Sequence, residues 1–112
     1  MRPYEQWHTL WQFFIVLDEE WPDEWPTEDD AVDALARGYP TADLEQAMRE
    51  WHEAFDTADD TEVSRIVSDF NPSYDPTEKF GGDRGWADWV REHLEAELTR
   101  RKAELSDAGG PL

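Results

Sequence analysis

Tyr4, Trp7, Leu10, Trp11, Phe14 and Leu17 recur at spacings of three and four, and Phe13 and Val16 widen the row they form. Side chains at those intervals share one face of an α-helix. A face this large and aromatic has to be covered by other elements, so a helix over residues 4–18 must lie at the centre of the fold. Pro22 and Pro26 then forbid regular helix, and residues 20–26 are expected as a loop.

The rest of the chain reads as further helices. Thr27 is placed to cap a second one, with Glu28, Asp29 and Asp30 in the first turn, where the helix dipole favours negative charge. Ala31, Val32 and Leu35 give it a short apolar face. Gly38 is expected to end it in the left-handed conformation, and Pro40 blocks continuation. Thr41 opens a third helix carrying Leu44, Ala47, Met48, Trp51 and Phe55. After a polar break, Asp59 or Asp60 caps a fourth, whose inward residues are Val63, Ile66, Val67 and Phe70 and which stops at Asn71-Pro72.

Residues 71–83 hold two prolines and a Gly-Gly pair, so an irregular stretch pinned by Tyr74 and Phe80 is expected there. Asp83 should cap a last long helix through Trp86, Trp89, Val90, Leu94, Leu98 and Leu105, with Arg100, Arg101 and Lys102 complementing its C-terminal dipole. Nothing alternates with the period of a strand. The expectation is an all-α, single-domain bundle of about five helices over residues 1–105, with a long irregular loop before the last helix and a frayed tail at 106–112.

Charge narrows the functional classes. Twenty-eight Asp and Glu oppose ten Lys and Arg in 112 residues, a formal net charge of −18. That balance argues against direct binding to nucleic acid or to an anionic membrane. Residues 1–83 hold twenty-two acidic and five basic side chains, a net of −17, whereas residues 84–112 hold six and five, a net of −1. Acidic disordered segments are poor in aromatics, and this chain has seven tryptophans, five phenylalanines and three tyrosines. Adaptation to high salt would explain the total charge but not tryptophans inside the acidic run. The absence of cysteine excludes disulfides and thiolate metal sites. Residues 1–17 lack the pattern of a secretory leader and no apolar run approaches a membrane-spanning length, so a cytoplasmic location is expected.

Signatures of catalysis are missing. His8, His52 and His93 are far apart, and none forms a metal-binding pair four residues from another. Loops begun at Asp18 or Asp56 fail the calcium-loop pattern, since Pro22 and Asp23 or Thr61 and Val67 fall where ligands or glycine belong. Gly81-Gly82 lacks the surrounding phosphate-loop sequence. No catalytic, cofactor or metal residue is therefore assigned, and a binding protein rather than an enzyme is expected.

Several short motifs together resemble a known family. Leu10-Trp11-Gln12-Phe13-Phe14 leads to Asp18 and Trp21; a Thr-Glu-Asp-Asp-Ala-Val helix start follows at 27–32; Tyr74-Asp75-Pro76 forms a turn; and Trp86, Trp89 and Val90 open the final helix. Over residues 7–98 this pattern resembles the small immunity proteins of bacterial contact-dependent growth inhibition (CDI) systems. The resemblance implies a cytosolic protein, with no cofactor, that binds a cognate toxin domain, commonly a nuclease, and neutralises it.

The residue chemistry leads to the same kind of partner. A nuclease must hold phosphates and so presents positive charge, which an acidic surface can steer towards and occlude. Asp18, Glu19, Glu20, Asp23, Glu24, Glu28 and Asp29 are the candidate charges of such a toxin-binding surface, with Trp21 and Trp25 as rigid anchors. The free protein is expected to be a monomer. Two other readings use the same sequence: an acidic nucleic-acid mimic that inhibits a DNA-binding protein, and a helical module whose apolar groove receives a partner helix.

Overall fold

The computed structural model describes residues 2–17 and 25–108, with side chains to Leu105. Among these residues the structure is all α-helix. Seven helices follow in order: α1 (Pro3–Gln6), α2 (His8–Ile15), α3 (Glu28–Gly38), α4 (Thr41–Phe55), α5 (Asp60–Phe70), α6 (Thr77–Phe80) and α7 (Asp83–Ala108). No described helix is long and apolar enough to cross a membrane.

The two helices beyond the expected five have separate causes. The expected first helix is broken at Trp7, whose backbone leaves the helical region at φ −122°, ψ 56°. Two tertiary bonds hold the break. The Trp7 indole N–H donates to Glu53 at 3.2 Å, and buried Glu50 accepts the Leu10 N–H at 3.0 Å. Glu50 thus satisfies, from α4, one of the orphan donors that begin α2. The break also turns the buried face: Phe13 is fully covered, whereas Trp11 is half-buried and donates its indole N–H to the Phe70 carbonyl. The second addition, α6, is a single turn inside the expected irregular stretch. It ends at Gly81 (φ 77°), which makes a left-handed exit that a side chain would disfavour.

Local signals set most of the other ends. Thr27 Oγ1 accepts the Asp30 N–H at 3.1 Å, and Asp59 Oδ1 accepts the Glu62 N–H at 2.8 Å. Gly38 differs from expectation. It is the last residue of α3, Tyr39 takes over in extended conformation, and among the described residues the positive-φ glycines are Gly81 and Gly82. The carbonyls that a left-handed glycine would have helped to satisfy are served by Arg101, which donates to Ala36 and Arg37 and to Thr41 Oγ1. Arg100, Arg101 and Lys102 therefore do not cap their own helix, which runs on past residue 105 to Ala108. Leu105 is 73% exposed, outside the core to which its spacing assigned it, because among the described residues nothing covers it at that end of α7.

α2 and α7 each pack on α3, α4 and α5, and α7 also covers α6. Their rings meet in the middle. Phe14 lies 5.1 Å from both Phe70 and Trp86, and Phe80 stacks parallel to Trp86 at 6.2 Å. Asn71 closes this core from the end of α5, its side-chain amide donating to the carbonyls of Phe14 and Leu17 as α2 ends. Tyr74 and Phe80 pack against the same cluster, which ties the 71–83 stretch to the body.

Candidate interaction site

Three of the nine candidate contact residues, Trp25, Glu28 and Asp29, lie where the structure can be read. Asp18, Glu19, Glu20, Trp21, Asp23 and Glu24 fall outside the described residues. Trp25 is half-buried and packs against the core, so one side of its ring serves the fold. Glu28 and Asp29 occupy the first turn of α3, as their position after the Thr27 cap requires.

Both carboxylates are also bound across the fold. Glu28 Oε2 accepts the Tyr74 hydroxyl at 2.8 Å. Burial raises the Tyr74 pKa, and the bond to Glu28 raises it further, so the phenol stays protonated and donating. Asp29 Oδ1 accepts the Trp89 indole N–H at 3.0 Å and faces His93 Nε2 at 2.9 Å, while Lys79 Nζ lies 3.4 Å from Asp29 Oδ2 and 3.9 Å from Glu28 Oε1. Partial burial of Asp29 works against its charge. The bonds from Trp89 and His93, with the Lys79 charge, outweigh this and hold its carboxyl below the usual range. Its side chain is still 47% exposed, so it can meet a partner while remaining anchored.

Around this corner the aromatic rings form a continuous row. Trp89 lies 4.7 Å from Phe80 and 4.4 Å from His93, edge-on to the latter. Trp89 and His93 are four residues apart on α7, so both face α3. The site thus gathers Glu28 and Asp29 from one end of the sequence with Tyr74, Lys79, Trp89 and His93 from the other. The last four were not among the sequence candidates. The Trp89–His93 spacing on one stripe was the available signal, but it cannot reveal that the stripe meets acids sixty residues away.

What the arrangement can do chemically is bind. The partly exposed Trp89 lies against Asp29, whose carboxyl is held below the usual range, a surface suited to cationic side chains. Among the described residues no group of three or more His, Asp or Glu is arranged to hold a metal ion. No family model, curated protein or solved structure matches this chain.

Proposed function

We propose that this protein is an immunity protein of the CDI type: it binds a cognate basic toxin domain, a nuclease by class, and neutralises it in the cytoplasm of the producing cell. The observation that carries the reading is how the cations are spent. Arg2, Arg65, Lys79, Arg84, Arg91, Arg100 and Arg101 each sit within ion-pair distance of the protein's own carboxylates. Carboxylates far outnumber them, and Glu5, Asp30, Asp43, Glu45, Glu78 and Glu92 are exposed with no cation in pairing distance among the described residues. The remaining field is negative and long-ranged, the property that speeds capture of a positively charged enzyme.

Docking is assigned to the acidic, tryptophan-bearing end of the chain, at Asp18, Glu19, Glu20, Trp21, Asp23, Glu24, Trp25, Glu28 and Asp29. The test begins with the cognate toxin domain, to be sought in the reading frame next to this gene. Its association rate with the wild type should approach about 10⁸ M⁻¹s⁻¹ at low salt and fall steeply as salt is added. Combined Asp23→Lys and Glu24→Lys should slow association about tenfold and flatten that salt dependence, with the melting temperature unchanged. Rates identical for the two proteins at every ionic strength would remove this surface from the mechanism. The nucleic-acid-mimic reading gains some support from the elongated shape, 52 × 34 × 23 Å. It separates cleanly, because a mimic binds several unrelated DNA-binding proteins and an immunity protein does not.

A further inference from the structure

We infer that His93 is a protonation-controlled latch that closes α7 onto α3. Its side chain is 17% exposed and lies between two carboxylates of α3, with Nδ1 2.6 Å from Asp33 Oδ1 and Nε2 2.9 Å from Asp29 Oδ1. An imidazole donates from both nitrogens only when it carries both protons. The neutral ring keeps one N–H, so its other nitrogen presents a lone pair to a carboxylate oxygen at hydrogen-bond distance. One of the two bonds then becomes a repulsive contact, whichever tautomer forms.

Asp29 and Asp33 are also four residues apart on α3, where like charges repel. A cation between them relieves that repulsion, and a neutral ring does not.

The surrounding charges are divided. From α3, Arg37 lines the same cavity of about 190 Å³ as Asp33 and His93, and from α7 Glu97 and Arg100 line it too. Glu97 is engaged by Arg100 and Arg101, and Lys79 of α6 reaches Asp29 on its other oxygen. The groups bonded directly to the ring are both anionic.

The two ends of the α3–α7 seam are held differently. Arg101 grips the C-terminal end of α3 through backbone carbonyls and carries its charge at any ordinary pH. At the other end Tyr74 and Lys79 hold Glu28, Trp89 and Lys79 hold Asp29, and among the described residues His93 is the group that reaches Asp33. Loss of a proton therefore loosens the turn of α3 from Asp29 to Asp33 and leaves its C-terminal end docked. The latch acts on the fold whatever the acidic surface binds.

The stabilisation belongs to the charged ring. It is present while both ring nitrogens hold protons and is lost with the proton as pH rises. Thermal melts of the full chain between about pH 5 and pH 9, for wild type and His93→Gln, isolate it, since the comparison cancels the carboxylates common to both. The melting-temperature advantage of the wild type should shrink by about 4 °C or more across that range. Asp33→Asn should remove at least half of the pH dependence. Ring ¹⁵N resonances of the wild type decide the matter even should His93→Gln fold poorly: both nitrogens should be protonated in acid, with faster amide exchange in residues 29–33 as the proton leaves. An advantage that stays flat with pH, or a ring that keeps a single proton on one nitrogen throughout, overturns the inference.

Discussion

Glu97 shows how a single side chain can carry more than its own charge. Its side chain is 7% exposed, and it takes hydrogen bonds from Arg100 and Arg101, three and four residues on. Burial raises its pKa, but the two guanidinium groups more than compensate, so its carboxyl is held below the ordinary glutamate value. Through Arg101 the same carboxylate orients the donor that satisfies the last carbonyls of α3. A depressed carboxyl contributes stability that is present above its unfolded pKa, about 4.3, and is lost as pH falls below it. Glu97→Gln should therefore cost about 1–3 kcal/mol at pH 7. The difference from wild type should disappear as unfolding is followed down towards about pH 3. A cost that persists undiminished in acid would mean that packing, not charge, holds Arg101 in place.

At the scale of elements, the joint between α6 and α7 is the most tightly specified. α6 has only four residues, too few to be stable alone, and it exists because Phe80 is stacked on Trp86 and packs at a tilt against Trp89. That stacking brings the Phe80 carbonyl against Gly85 of α7, where a Cβ would lie 2.0 Å from the oxygen. Gly85 is therefore required by contact. In an unencumbered helix interior, alanine would be the better residue. Gly85→Ala should destabilise the protein by about 1–3 kcal/mol, with the urea midpoint lowered and the m-value unchanged. An increase in stability, the ordinary outcome for a glycine inside a helix, would show that α6 is not docked as described.

For the molecule as a whole, charge rather than packing sets the sensitivity to conditions. A net charge of −18 is spread over a body 52 Å long and 23 Å thick, and most described cations are already paired. At about 0.01 M salt the screening length is about 30 Å, so carboxylates on opposite sides of the body repel one another; at about 0.15 M it is about 8 Å and they do not. Folding concentrates that charge, and salt should favour the folded state. The melting temperature is expected to rise by about 4 °C or more between those concentrations. Sucrose at matched osmolality provides the control for general exclusion effects. A melting temperature that fell with salt would mean that the ion pairs outweigh the repulsion.

By itself the sequence determined that the described chain is helical, where most helices begin, which side chains of α5 are covered and most of those of α4, though not buried Glu50 and Ala54. Those properties depend on neighbours within four positions: the Thr27 and Asp59 caps, the prolines, and the spacing of Val63, Ile66, Val67 and Phe70. The acidity near the start of α3 was legible for the same reason. Only the tertiary structure decided the break at Trp7, the helical exit at Gly38, the work of Arg101 and the exposure of Leu105, since each turns on what lies opposite. The cluster of Asp29, Asp33, Trp89 and His93 belongs to the same class. Sixty residues of chain separate its halves, and no local pattern encodes which carboxylate an imidazole will meet once two helices have packed.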